Sequence, residues 1–285
     1  MRLGEALLLA VLTSACLETG VGPVEVPLEA PVTPVTDPFD RTGLELVDVI
    51  VVRADDGDSL RVLLEGTEER VRLLGINAPE KDECLGDESR QNLDAMVSGD
   101  VVLGLEPDSR DQFGRLLAHV FVDDLYVNEA QVSDGLAIVL SDANTAQDRL
   151  VAAQERAERS ATGLWSAEAC GGGDLVDGVE IVRIEANPQG PDEEAMDREL
   201  VEIANRGTDA VDLSGFVLRD ESTANRFVFP TGSVVPAGET ITVASGCDPT
   251  AADFAWCADD PVWNNGGDSA LLLDPAGRVV DHLGY

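Results

Sequence analysis

Asp56-Gly57-Asp58-Ser59, running on to Arg72-Leu73-Leu74-Gly75-Ile76-Asn77-Ala78-Pro79-Glu80 and then to Asp111-Gln112-Phe113-Gly114-Arg115, decides how this chain is read. Carboxyl and amide oxygens suit a hard divalent cation such as Ca²⁺. A guanidinium fork matches the oxygens of a phosphate two at a time. Cation ligands, a phosphate clamp and a spare Glu are the parts of a phosphodiesterase. Val71-Arg72-Leu73 alternates apolar and polar, so Arg70 and Arg72 share one face of a strand and Val71 and Leu73 the other. Asp-Gly runs are ordinarily just turns, so Asp58 gains meaning only beside Arg72 and Glu80. Pro79 holds Ala78 extended, which presents the Ala78 carbonyl and fixes the direction in which Glu80 leaves the strand.

Working outward, residues 49–53, 59–64, 70–74, 101–105 and 116–122 read as strands, with helices at about 87–98, 127–134 and 146–161. Five short strands with three helices predict an α+β OB-fold barrel, whose open face commonly binds nucleic acid. Beyond Gly171-Gly172-Gly173-Asp174 the periodicity is strand-like throughout, at 179–185, 200–204, 212–218, 226–229, 240–244 and 270–273. That spacing predicts an all-β immunoglobulin-like sandwich. Asn264-Asn265-Gly266-Gly267-Asp268 reads as a tight turn, Trp256 and Trp263 as core aromatics, and His119 and His282 as structural or surface residues without partners.

The order DGD[ST]…R-L-x-G-I-[DN]-A-P-E…D-x-[FY]-G-R, together with Val127-Asn128-Glu129, Gly135-Leu136-Ala137 and Gly163-Leu164-Trp165, resembles the thermonuclease (staphylococcal nuclease-like) family over residues 44–170. The resemblance implies that Asp58, Asn77 and the backbone carbonyl of Ala78 hold Ca²⁺. It also implies that Glu80 is the general base, and that Arg72 and Arg115 bind the scissile phosphate and stabilise the transition state, leaving a 3′-phosphate. Two departures stand out: Asn77 where the family usually has Asp, and Val139-Leu140-Ser141 where its nucleotide-stacking tyrosines stand. Residues 176–285 resemble the lamin-tail domain through Val201-Glu202-Ile203-Ala204-Asn205, Asp212-Leu213-Ser214-Gly215-Phe216 and Phe227-Val228-Phe229-Pro230. That family implies attachment or binding, with no catalytic set to carry over.

Charge sets a tension. The chain carries 55 Asp and Glu against 19 Lys and Arg, net −36, and lacks the basic footprint usual in nucleic-acid binders. Within the motif region, Arg61, Arg70, Arg72, Arg110 and Arg115 are expected to make a local positive pocket.

Met1-Arg2 and the apolar run at 3–12, broken by Glu5, read as a signal peptide. Leu12-Thr13-Ser14-Ala15-Cys16 resembles a bacterial lipobox, which implies lipidation of Cys16, contact with a membrane through that anchor, and a place in the cell envelope or outside the cell, as an outer-membrane-anchored lipoprotein. Residues 17–43 are Pro-rich and form an extended tether. Cys84, Cys170, Cys247 and Cys257 remain, an even number that suggests two disulfides in an exported chain. Three pairings are open, and the domain division favours Cys84–Cys170 with Cys247–Cys257. Without a CxxC or Cys/His cluster, a zinc site is not expected.

The division is therefore a signal peptide at 1–16, a tether at 17–43, a nuclease-like OB-fold domain at 44–170, a Gly-rich linker at 171–175 and a lamin-tail-like sandwich at 176–285. The expected function is an exported, Ca²⁺-dependent endonuclease on DNA and RNA, held to the envelope, with a surface or polymer as the sandwich's ligand. The alternative is a non-catalytic binding or adhesion protein on a degenerate nuclease fold.

Overall fold

Strand β1 (Glu45–Ala54) runs well past the expected 49–53 because it serves two partners in turn. Its first half pairs with β5 (Val101–Leu105), and its second half pairs with β2 (Ser59–Leu64) across a bulge between Val51 and Arg53. A bulge bends and twists a strand, which lets β1 belong to both halves of a curled sheet. The sequence of β3 (Thr67–Leu73), β2, β1, β5 and β6 (Leu116–Val122) closes when β3 pairs with β6 in parallel, Val71 opposite Leu116 and Leu73 opposite Ala118. This is the expected five-stranded barrel. It is filled by Leu60, Val62, Val71, Leu73, Leu103, Val120 and Phe121.

The structure is a computed structural model describing residues 38–285 except 142–143, 172–175, 192–194, 223 and 251. The expected signal peptide, Cys16, nearly all of the tether and most of the Gly-rich linker lie outside the described residues. Short strand β7 (Leu125–Tyr126) extends the barrel sheet beside β6, while β4 (Ile76–Asn77) and β8 (Ile138–Val139) pair in a two-stranded sheet of their own. Helices α1 (Gly86–Met96), α2 (Val127–Ser133) and α3 (Gln147–Arg159) match the expected three within the usual fraying. Gly57 is needed by packing, for a Cβ there would lie 1.8 Å from the Ser89 hydroxyl of α1. The Gly-Leu-Ala and Gly-Leu-Trp motifs meet, Leu164 N–H donating to the Gly135 carbonyl at 2.8 Å. Both glycines have positive φ and touch backbone to backbone, leaving no room for a side chain. Among the described residues no helix is long and apolar enough to cross a membrane.

The C-terminal region forms two four-stranded sheets. One joins β9 (Val179–Glu185), β10 (Leu200–Asn205), β15 (Thr240–Ala244) and β16 (Phe254–Ala255); the other joins β12 (Val217–Arg219), β13 (Arg226–Val228), β17 (Ser269–Leu273) and β18 (Val279–Gly284). A two-stranded pair, β11 (Val211–Asp212) with β14 (Val234–Val235), completes it. Val201, Ile203, Leu218, Phe229, Leu272 and the buried Trp263 make its core, the place expected for Trp263. The strand expected at 212–218 is broken in two. Asp212 accepts from the Ser214 N–H at 2.9 Å, a side-chain turn that competes with the ladder.

Strand β18 was not expected, because Asp281 and His282 interrupt its apolar signal. Both have tertiary partners: Asp281 accepts from Ile181 N–H at 2.6 Å, and His282 lies 3.4 Å from Glu158 and against the Trp165 ring. His119 also has partners, Tyr126 Oη at 2.8 Å and Glu106 at 2.9 Å, and burial lowers its pKa against the opposing pull of Glu106. The expectation that the histidines lack partners is corrected in both cases.

The barrel and the sandwich belong to one compact unit, Asp37–Tyr285. They share an apolar cluster in which Ile138 and Leu164 meet Leu271, Leu273 and Val279. This explains why Ala270-Leu271-Leu272-Leu273 is apolar on both faces: Ala270 and Leu272 enter the sandwich core, while Leu271 and Leu273 pack on the nuclease side. The structure pairs Cys84 with Cys170 and Cys247 with Cys257, with Cα atoms 5.6 and 4.3 Å apart.

Candidate active site

Asp58 is 1 % exposed at the mouth of β2. A buried carboxylate is costly unless paired and hydrogen-bonded, and each of its oxygens is held. Arg72 forms an ion pair with Oδ1, Ser59 Oγ donates to Oδ1 at 3.0 Å, and Ala78 N–H donates to Oδ2 at 2.6 Å. Arg72 also donates to Asn77 Oδ1 at 2.6 Å and to the Ile76 carbonyl at 3.1 Å. Asp58, Arg72, Asn77 and Ala78 thus form one hydrogen-bonded cluster where β3 passes into β4. Arg72 sits in the electrostatic field of Asp56, Arg115, Glu80 and Asp111. The structure therefore brings Asp58, Arg72, Asn77 and Ala78 into direct contact, with Arg115 and Glu80 near enough for their charges to act on Arg72.

Arg115 is aimed by its own motif. Asp111 accepts from Arg115 N–H at 2.9 Å and from Nε at 2.7 Å, closing the turn and fixing the guanidinium together. Glu80 is exposed, and its N–H donates to Glu83 Oε2 at 3.0 Å. Phe113, the aromatic of the Asp111–Arg115 motif, has no role in the sequence reading. It is 65 % exposed, with the Arg115 guanidinium 5.7 Å from its ring centre. An exposed aromatic ring beside an arginine is the kind of surface on which a nucleic-acid base can stack, and an aromatic inside a charged turn was the available signal. Phe113→Ala is expected to raise KM for single-stranded DNA by roughly 5- to 100-fold, the equivalent of about 1–3 kcal/mol per stacked base, with kcat little changed. Steady-state kinetics on short oligonucleotides measures it.

Of the five arginines expected to make a positive pocket, four are paired with carboxylates and the fifth, Arg70, donates to the Phe113 carbonyl at 3.1 Å. Arg61 pairs with Asp55 at 2.6 Å, Arg110 with Glu69 at 3.1 Å, Arg115 with Asp111 at 2.7 Å, and Arg72 with Asp58. In so acidic a chain the neighbouring strands and turns supply a carboxylate for each of these guanidiniums.

As metal ligands, Asp58, Asn77 and the Ala78 carbonyl are all oxygen donors, the kind a hard cation takes. Two of them already converge on the positive Arg72 guanidinium, so the cluster fits a cation in kind. Its charge is low: among the described residues no three His, Cys, Asp or Glu side chains come together as a metal site.

Residues 70–167 match the family described as Staphylococcal nuclease homologue, and 176–285 match the Lamin Tail Domain. Over 117 residues the chain is 36 % identical to an uncharacterized endonuclease of Escherichia coli O157:H7, covering 41 % of this chain and 75 % of that protein. The chain belongs to the staphylococcal nuclease homologues. It is also 33 % identical over 140 residues to endonuclease YncB of Bacillus subtilis, covering 45 % of this chain and 66 % of that protein. With the SPbeta prophage-derived endonuclease YokF of Bacillus subtilis it shares 36 % over 133 residues, covering 43 % of this chain and 45 % of that one. The chain thus spans just under two thirds of YncB and under half of YokF.

The lamin-tail region meets this cluster through the loop after β12, where the Glu221 carbonyl accepts from Asn77 Nδ2–H at 2.8 Å. Burial pushes the Asp220 carboxyl up to about 6, with Asp268 adding repulsion against hydrogen bonds from Asn225 and Ser222 and the charge of Arg219. A carboxyl whose folded pKa lies above its unfolded one stabilises fully below about pH 4, and that contribution disappears as pH rises through 6. Stability to urea is therefore expected to fall between pH 4 and 7 by on the order of 1–3 kcal/mol more in the wild type than in Asp220→Asn.

Proposed function

We propose that this protein is an exported endonuclease that hydrolyses phosphodiester bonds in DNA and RNA. The observation that carries the reading is the single cluster of Asp58, Arg72, Asn77 and Ala78 lying within the field of Arg115 and Glu80. Arg72 and Arg115 receive the scissile phosphate and balance the charge that builds on its oxygens, the largest contribution in phosphoryl-type transfer. Glu80, exposed beside them, takes the proton of the attacking water. Asp111 keeps Arg115 aimed, and Phe113 stacks a neighbouring base. Ca²⁺, held by Asp58, Asn77 and the Ala78 carbonyl, supplies Lewis-acid polarisation of a phosphoryl oxygen when bound.

The two disulfides support export, since such bonds persist in oxidising compartments. Anchoring through a lipid on Cys16, at the end of an extended tether, gives a place in the cell envelope, with the lamin-tail domain holding a surface or polymer. Labelling with a fatty-acid analogue, lost in Cys16→Ser, tests the anchor.

The function is tested with the full chain on single-stranded DNA and RNA, with Ca²⁺ or chelator, at low and high salt. Cleavage is expected with Ca²⁺, half-maximal near 10⁻⁴–10⁻³ M because one carboxylate leaves the site weak, roughly as in extracellular Ca²⁺ modules. Chelator should abolish it. No cleavage under any condition defeats the enzyme reading and leaves a binding protein on a nuclease fold.

A further inference from the structure

Three of the contacts between the lamin-tail domain and the nuclease barrel bear on residues 77–84. Asn77 Nδ2–H donates to the Glu221 carbonyl at 2.8 Å. Arg226 forms an ion pair with Glu83, whose other carboxyl oxygen accepts the Glu80 N–H at 3.0 Å. Gly277 packs so closely on Cys84 that an added Cβ would lie 3.0 Å from the Cys84 side chain. The loop that carries the Glu221 carbonyl is itself pinned. Arg219 donates to the carbonyls of Asp220, Glu221 and Ser222 at 3.2–3.4 Å, and the Glu221 carboxylate accepts from the Ser141 N–H at 2.9 Å and from its hydroxyl.

We propose that the lamin-tail domain is a working part of the nuclease site, with Glu221 and Arg226 as positioning residues that set Asn77 and Glu80. The inference rests on the nuclease reading above. It accounts for the carboxamide at 77. Asn77 accepts from Arg72 on one side and donates to the Glu221 carbonyl on the other, and only one orientation of the amide satisfies both. A carboxylate there would set two acceptors against each other in a buried place, which is costly. The residue at 77 therefore answers to the second domain as well as to the first. The Glu80 backbone, likewise, is held by a carboxylate that a lamin-tail arginine keeps in place.

The test uses the full chain carrying Glu221→Ala, Glu221→Gln, Arg226→Ala or, as an interface control remote from residues 77–84, His282→Ala. Turnover is measured on single-stranded DNA well below each variant's unfolding midpoint. Glu221→Ala and Arg226→Ala are expected to lose about 10-fold or more in kcat, since small misplacements of reacting groups cost that much, while KM changes less than about twofold. Glu221→Gln, which still bonds Ser141, should restore kcat, and His282→Ala should lose stability but keep kcat. Wild-type turnover in both alanine variants overturns the inference. Hydrogen exchange at the Ala78 and Glu80 amides gives a readout that needs no activity. It is expected to quicken in both alanine variants and not in His282→Ala, and unchanged exchange also overturns the inference. If the wild type cleaves nothing, the nuclease reading fails, and the exchange result still decides whether the second domain sets this segment.

Discussion

Arg115→Ala and Glu80→Gln will each remove most of the cleavage activity while leaving the fold intact. Glu80→Gln is expected to lower kcat by about 10²–10⁴-fold, the worth of a positioned general base. Arg115→Ala should cost about 10²–10³-fold, the loss seen when one donor to a developing oxyanion is deleted. Neither change leaves a buried charge without a partner, because Glu80 is exposed and the Asp111 carboxylate keeps the Phe113 and Arg115 backbone N–H groups as donors. Arg72 is the poorer probe. Its side chain is 16 % exposed and neutralises Asp58, which is 1 % exposed. Removing one partner of a buried pair costs about 3–5 kcal/mol, so Arg72→Ala would confound lost chemistry with lost fold. Turnover on single-stranded DNA, with the thermal midpoint followed in parallel, separates the two. Activity that survives Glu80→Gln combined with Arg115→Ala defeats the site assignment.

Breaking the Cys84–Cys170 disulfide is expected to have the largest effect on stability. The bond joins residues 86 apart in sequence, and the chain-entropy relation gives about 4–5 kcal/mol for a closed loop of that size. The Cys247–Cys257 bond spans ten residues and by the same relation is worth about 3 kcal/mol. The double variant Cys84→Ser/Cys170→Ser should therefore melt roughly 10–20 °C lower, and more steeply lower than Cys247→Ser/Cys257→Ser; calorimetry on the oxidised proteins decides the order. The first bond also ties the segment after Glu80 to the turn that follows Gly163-Leu164-Trp165, so its loss should lower kcat even at temperatures where the chain stays folded. Equal melting of the two double variants would contradict the loop-length argument.

The elements that were legible in the sequence are those whose signal is local. Residues 59–64, 101–105, 116–122, 179–185 and 240–244 alternate or run apolar in the way a strand requires and are strands with those bounds. The motif residues were legible too, because a turn such as Asp111–Arg115 carries its own hydrogen bonds within five residues. What misled was local signal of the wrong reach. The 212–218 run looked continuous until Asp212 bonded Ser214, and β18 looked broken until Asp281 and His282 found partners far away in sequence. Of the arginines read as a positive pocket, Arg110 finds its countercharge on another strand, at Glu69, while Arg61 and Arg115 find theirs in nearby loops, at Asp55 and Asp111.

By itself, the sequence determined a barrel followed by a sandwich, the cysteine pairs favoured by that division, and the motifs that carry Asp58, Arg72, Asn77, Ala78, Glu80 and Arg115. Periodicity and turn chemistry are properties of neighbouring residues, and they survive in a one-dimensional string. Only the tertiary structure decided that Leu271 and Leu273 face the nuclease side, and that Asn77 bonds a carbonyl 144 residues away. A hydrogen bond or a buried face is completed by whatever surface arrives opposite it, and that surface exists only once both domains have folded and packed.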